Sequence, residues 1–425
     1  MRSATLALAL ACLPLNAAAD GFFTLKGHGG PIMGIAVADD GRIATASFDN
    51  SVGLWSNGSP TWLEGHEAAV NTVLFNGPAL LSAGDDFTLR SWPDGAVMGQ
   101  HKGKIMQIAA SGSLIATASW DGTIGLWQEG AARSLSGHQA GVNDVAFIAE
   151  GTGLISASSD GTLRLWDVAT GQEKAQLLSH GFGINELVVN ENQGWIAYGA
   201  VDGVTRVIDA ATGEPIADFT LERRPILAMA LSPDGSTLAV GDGEGYIMMI
   251  DTIAWRIARD FRATLRGPVW ALAFSSDGAN IHAGGLDNAM YSWPVASLNE
   301  HGQMGTQEQS FLRKPEDMDN GERQFERKCS ICHTLTPSSA RRAGPTLYGI
   351  FERPAGAVSD YSYSETLQKS SIIWTETSID DLFEEGPDHY IPGSKMPMQV
   401  IQSQADRDDL IAFLRRATGE ERESE

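Results

Sequence analysis

Cysteine is nearly absent: three residues, Cys12, Cys329 and Cys332, in a chain of 425. A disulfide framework is thereby excluded as the source of stability, and so is a structural zinc site of four thiolates. Basic residues are scarce too, 30 Lys and Arg against 53 Asp and Glu, which leaves a net charge of −23. Such a chain is not drawn to nucleic acid or anionic lipid by its overall field, so its partners are basic or dock through local patches. No long apolar run of the kind that spans a bilayer as a helix occurs anywhere in the sequence. The first 300 residues contain no zinc motif, Gly-rich phosphate loop or nucleophile elbow.

What is present begins with MRSATLALALACLPLNAAA, residues 1–19. One arginine, an apolar run from Ala4 to Leu15 and a small-residue end have the layout of a cleaved secretory signal, with the cut after Ala19. The expectation is a periplasmic or otherwise exported protein with no integral membrane segment once the signal is gone. Cleavage would leave only Cys329 and Cys332.

A phrase then recurs. It closes on Trp55, Trp92, Trp127 and Trp166, more weakly on Ile208 and Ile250, and again on Trp293, at intervals of 35 to 43 residues. Each copy alternates apolar and polar residues, turns at an Asp-Gly or Asp-Asn pair, and ends in a short apolar run. That pattern specifies antiparallel strands joined by tight turns. Four short strands per copy, repeated seven times, close into a propeller. The dipeptides Gly27-His28, Gly65-His66 and Gly137-His138, the isolated His101 and His180, and turn residues Asp49, Asp86, Asp121, Asp160, Asp202 and Asp287 resemble the WD-repeat family. The resemblance implies that each His donates to the turn Asp as scaffolding. The sixth copy departs from it, with Glu244 at the Asp position and no Gly-His before it. The segment DGFFTL, 20–25, has no copy of its own and is expected to complete the seventh blade.

After Trp293 the repeat stops, and residues 299–317 read as a polar linker. Beyond it lies CSICHT, 329–334. In Cys-x-x-Cys-His the two thiols form thioethers with haem and the His supplies one axial nitrogen, so Cys329, Cys332 and His333 are the expected attachment site of one covalent haem c. A second axial ligand is available from Met396 or Met398 in HYIPGSKMPM. The succession KCSICHT, GPTLYGIF, YSYS, IIW, YIPGSKM and DLIAFLRRATGE resembles a class I cytochrome c of the mitochondrial type. That resemblance implies Met396 as the sixth ligand and a Pro345 carbonyl that accepts from His333. It also implies Arg353, Tyr363 and Trp374 beside the haem propionates, and Gly321 and Phe325 meeting Leu410 and Phe413 where the first and last helices cross. Two departures matter: Leu382 or Phe383 replaces a tyrosine near the Met sulfur, and Leu367 replaces an asparagine near a propionate. The lysine-rich haem edge of that family is thinned to Lys328 and Lys395, with Asp388 and His389 where lysines are usual.

The expected architecture is therefore multidomain: a signal over 1–19, an all-β seven-bladed propeller over 20–298, a linker over 299–317 and a small all-α cytochrome domain over 318–425. The expected function is single-electron transfer through a His/Met-ligated haem to an unknown redox partner protein, with the propeller as docking platform and no catalytic residues. Two alternatives stand beside it. One is an oxidoreductase with a substrate in the propeller, near Glu222, Arg223, Arg224 and Glu244; the other is a haem-based sensor.

Overall fold

Seven four-stranded antiparallel sheets follow one another along the chain in a computed structural model, which describes residues 21–264, 267–300 and 315–419. The expected signal lies outside the described residues. Blades 1 to 6 take their strands in chain order, over 32–64, 70–100, 105–136, 142–179, 184–218 and 226–262. Blade 7 takes three strands from 269–294 and its outermost strand, Phe23–Lys26, from the other end of the ring. Phe23 pairs with Ser292 and Lys26 with Ala289, as the orphan segment DGFFTL had suggested.

Small residues explain how the blades stack. The second strand of a blade is buried along its whole length, as in Ile43–Ser47 and Gly153–Ser158, because a neighbouring blade covers each face. Outer strands such as Glu173–Ser179 face solvent and are polar.

One network recurs in blades 1 to 4. His28 Nδ1 donates to Asp49 at 2.8 Å, while Thr45 Oγ1 bonds His28 Nε2 at 2.7 Å and accepts from Trp55 Nε1 at 2.8 Å. The same circuit links His66, Asp86, Ser82 and Trp92. It returns at His101, Asp121, Thr117 and Trp127, and at His138, Asp160, Ser156 and Trp166. Burial resists ionisation of Asp86, yet bonds from His66, the Glu67 amide and Thr88 hold it down at about 2. A buried circuit satisfied at every atom fixes the turn and the strand packing together. Blade 5 keeps only the His180–Asp202 pair, at 3.0 Å, with Tyr198 where the hydroxyl relay would stand. In blade 6 Arg223 substitutes for the histidine, pairing with Asp242 at 2.9 Å and with Asp260 at 2.7 Å, and lying 4.1 Å over the Tyr246 ring. Arg223 thus has two carboxylates and an aromatic ring of blade 6 as neighbours.

Every innermost strand carries a bulge near its start. The residues just past it are Gly34, Thr72, Gln107, Asp144, Glu186, Ala228 and Ala271, and Gln107, Asp144 and Glu186 line one cavity. Asp144 accepts from the amides of Val145 and, across blades, Leu187, both at 2.7 Å. Burial pushes Asp144 up to about 7; burial and then the Asp144 charge push Glu186 well above the usual carboxylate range. A carboxyl whose folded pKa is raised stabilises while protonated, and that contribution is lost as pH rises through about 7. The buried histidines His101, His138 and His282 shift the opposite way, so the pair is best isolated by difference. Glu186→Gln is expected to match the parent in propeller melting temperature at pH 4.5 and exceed it by ~3 °C at pH 8. A pH-independent difference in calorimetry would count against a protonated pair.

The C-terminal unit is helical. Helices α1 (Asn320–Lys328), α2 (Glu365–Gln368), α3 (Glu376–Glu385), α4 (Pro387–Tyr390) and α5 (Gln404–Thr418) surround a core containing Phe325, Leu382, Phe383 and Leu410. Asp319 caps α1 through the Glu322 amide, and Thr375 and Ser378 form a reciprocal cap on α3. Helices α1 and α5 cross at Gly321: a Cβ there would lie 2.1 Å from the Asp409 carbonyl oxygen. Phe325 and Phe413 meet across the same crossing, 5.5 Å between ring centroids.

Candidate functional site: a haem cavity

The attachment motif leaves the end of α1 as a tight turn, with the Cys332 and His333 amides both donating to the Cys329 carbonyl at 3.0 and 2.9 Å. Cys329, Cys332, His333 and Met396 line one cavity of about 1380 Å³, counted with its open mouth. Burial pushes the Cys329 thiol up to about 12 and Cys332 to about 11. A redox dithiol requires a lowered pKa, so this environment argues against that use of the motif.

His333 Nδ1 donates to the Pro345 carbonyl at 2.7 Å, which fixes the tautomer and leaves Nε2 as the nitrogen available to a metal. Burial holds the imidazole pKa below its usual value, keeping the ring neutral as ligation requires. Gly344 forms the back of the ring's slot, where a Cβ would stand 2.4 Å from His333 Cε1. Met396 is partly buried on the cavity wall, whereas Met398 is 52% exposed. Leu382 and Phe383 both reach the cavity and are both buried, so the expected tyrosine position is apolar here.

Arg353, Tyr363 and Trp374 also line the cavity. The Arg353 guanidinium already donates to the carbonyls of Tyr348 and Thr346, both at 2.7 Å, which leaves its Nε edge for a propionate. Two residues escaped the sequence reading. Ser364 Oγ and Gln399 Oε1 are buried without a partner, and both line the cavity. Ser364 caps α2 by position, yet its side chain makes no cap bond. An orphaned hydroxyl beside Tyr363 and Arg353 suits a propionate, and the donor set as a whole fits a covalently held haem. A serine at a helix start reads as a cap in sequence, so no local signal marks it out.

The WD domain, G-beta repeat family matches residues 22–56, 59–93, 96–128, 131–167 and 259–293, and the Cytochrome c family matches 318–418. Cytochrome c of Sesamum indicum is 38% identical over 104 residues, 24% of this chain and 93% of that protein. Cytochrome c of Arabidopsis thaliana is 39% identical over 104 residues, 24% of this chain and 90% of that protein. The WD40 β-propeller domain of Doa1 superposes with a TM-score of 0.58 at 22% identity, over 64% of this chain and 96% of that one, a likeness of fold alone. The C-terminal unit, with its attachment motif in place, carries covalently bound haem c, and the chain belongs to the cytochrome c family, with a seven-bladed WD40 propeller joined ahead of the haem unit.

Proposed function

We propose that the protein is an exported single-electron carrier whose haem is held between His333 and Met396. The observation that carries this reading is the placement of Met396, and not Met398, on the wall of the cavity that holds Cys329, Cys332 and His333. When bound, the haem supplies one-electron chemistry between ferric and ferrous iron, and a thioether ligand favours the ferrous form. The chain's own residues attach it, hold a neutral imidazole in one orientation and exclude water with Leu382, Phe383 and Trp374. The propeller's role is to select the protein that the haem meets. Export rests on the signal-like segment 1–19.

Met396→Ala should abolish the weak far-red band of sulfur on ferric haem, admit carbon monoxide to the ferrous form and lower the potential by on the order of 100 mV. Met398→Ala should leave all three unchanged. Ready carbon monoxide binding by the parent protein would instead favour the sensor reading.

A further inference from the structure

The haem cavity is not closed by the cytochrome unit alone. Its lining includes Asn50, Glu67, Ala69 and Asp85 from blades 1 and 2 together with Lys328 and Lys395 of the cytochrome unit. We infer that this face of blades 1 and 2 is a docking surface for the chain's own haem unit, covering the haem edge that Lys328 and Lys395 flank. The inference deepens the electron-carrier reading and rests on it: the platform's first occupant is the cytochrome of the same chain.

Three contacts independent of the cavity support it. Arg341 pairs with Glu64 at 2.8 Å and lies 4.4 Å over the Trp62 ring. Glu64 is 67% exposed, so the ion pair contributes little and the stacked guanidinium more. Ala340 and Arg341 both have positive φ, 47° and 55°, a costly conformation that persists where surrounding contacts enforce it. At Gly29 the two units approach so closely that a Cβ would sit 2.2 Å from the Arg341 carbonyl oxygen. Blades 2, 3 and 4 carry Glu67, Lys102 and Gln139 after the corresponding histidine. Blade 5 also has a glycine there, Gly181, with nothing within 4 Å of where its Cβ would lie, so what distinguishes Gly29 is the arriving loop and not the residue type.

Charge fits as well. Lys328 and Lys395 of the haem unit share their cavity with Glu67 and with Asp85, the latter already paired with Lys104 of the propeller. An acidic counter-surface, hard to find for so acidic a chain in a separate partner, is supplied within it.

The test uses the full haem-loaded chain. Zero-length carbodiimide coupling, mapped by mass spectrometry on monomeric protein, should join Lys328 or Lys395 to Glu67 or Asp85. Gly29→Leu, which changes no charge, should remove that crosslink. It should also raise, by about tenfold, the rate at which ferricyanide takes one electron from the ferrous form, giving ferrocyanide and the ferric protein. Arg341→Ala, on the other side of the contact and outside the blades, should do the same if the propeller variant folds poorly. A parent without the crosslink, or variants with parental crosslinking and rate, would overturn the docking. The crosslink is read without iron chemistry. A missing far-red band in the parent would therefore sink the ligation reading alone and leave the docking result standing.

Discussion

Gly344→Ala is expected to cost the protein its ordered haem ligation. The added Cβ would lie 2.4 Å from Cε1, 2.7 Å from Nδ1 and 2.9 Å from Nε2 of His333, so it meets the ring along one whole side. The imidazole cannot yield without breaking its 2.7 Å bond to the Pro345 carbonyl, which fixes the ring's tautomer and orientation. The Gly344 amide, donating to the Cys332 carbonyl at 2.8 Å, ties the same backbone to the attachment turn. Loss of such an orienting shell typically weakens a metal site by about 10- to 100-fold. The expected result is a haem protein recovered in low yield, with thioethers formed but a mixed or high-spin spectrum. A variant with the parental low-spin spectrum and potential would show that the ring is not held as described.

Much of this site was legible because its chemistry is written in contiguous residues. Cys329, Cys332 and His333 fall within five positions, and thioether formation with axial ligation requires that spacing. The propeller was legible for a different reason. Its Asp turns recur with the blade, so Ile208 and Ile250 marked blades 5 and 6 even though the family match leaves 168–258 uncovered. In those blades Tyr198 and Val240 stand where Thr45 and its equivalents accept from Trp and bond His, so the circuit of blades 1 to 4 is not repeated there. What sequence could not display were pairings between distant segments. The carboxylate partners of Arg223, Asp242 and Asp260, lie 19 and 37 positions away from it. The raised pKa of Asp144 depends on a neighbouring blade, and the meeting of Gly29 with Arg341 spans most of the chain.

Gly321→Val should unfold the haem unit selectively. Its Cβ would stand 2.1 Å from the Asp409 carbonyl oxygen and 2.7 Å from Phe413 Cβ, both on α5, and a backbone oxygen has no rotamer into which to retreat. Relief requires α1 and α5 to separate, which opens the Phe325–Phe413 contact and exposes Leu410, fully buried in the parent. The Asn320 bonds to Asp406 and Asp409, at 2.8 and 2.7 Å, stretch with it. Overpacking with backbone displacement costs about 3 kcal/mol, a large part of what a unit of this size has. Because Cys329 follows directly on α1, with its amide on the Phe325 carbonyl at 2.8 Å, the disturbance passes into the haem attachment. Ten of the eleven tryptophans belong to the propeller, so fluorescence reports its unfolding while the haem absorbance reports the other unit. The expected outcome is a haem transition moved to much lower guanidinium with the tryptophan transition nearly unmoved. If both moved together by the same amount, the two units would unfold as one, and the docking surface would be an integral part of the fold instead of a separable contact.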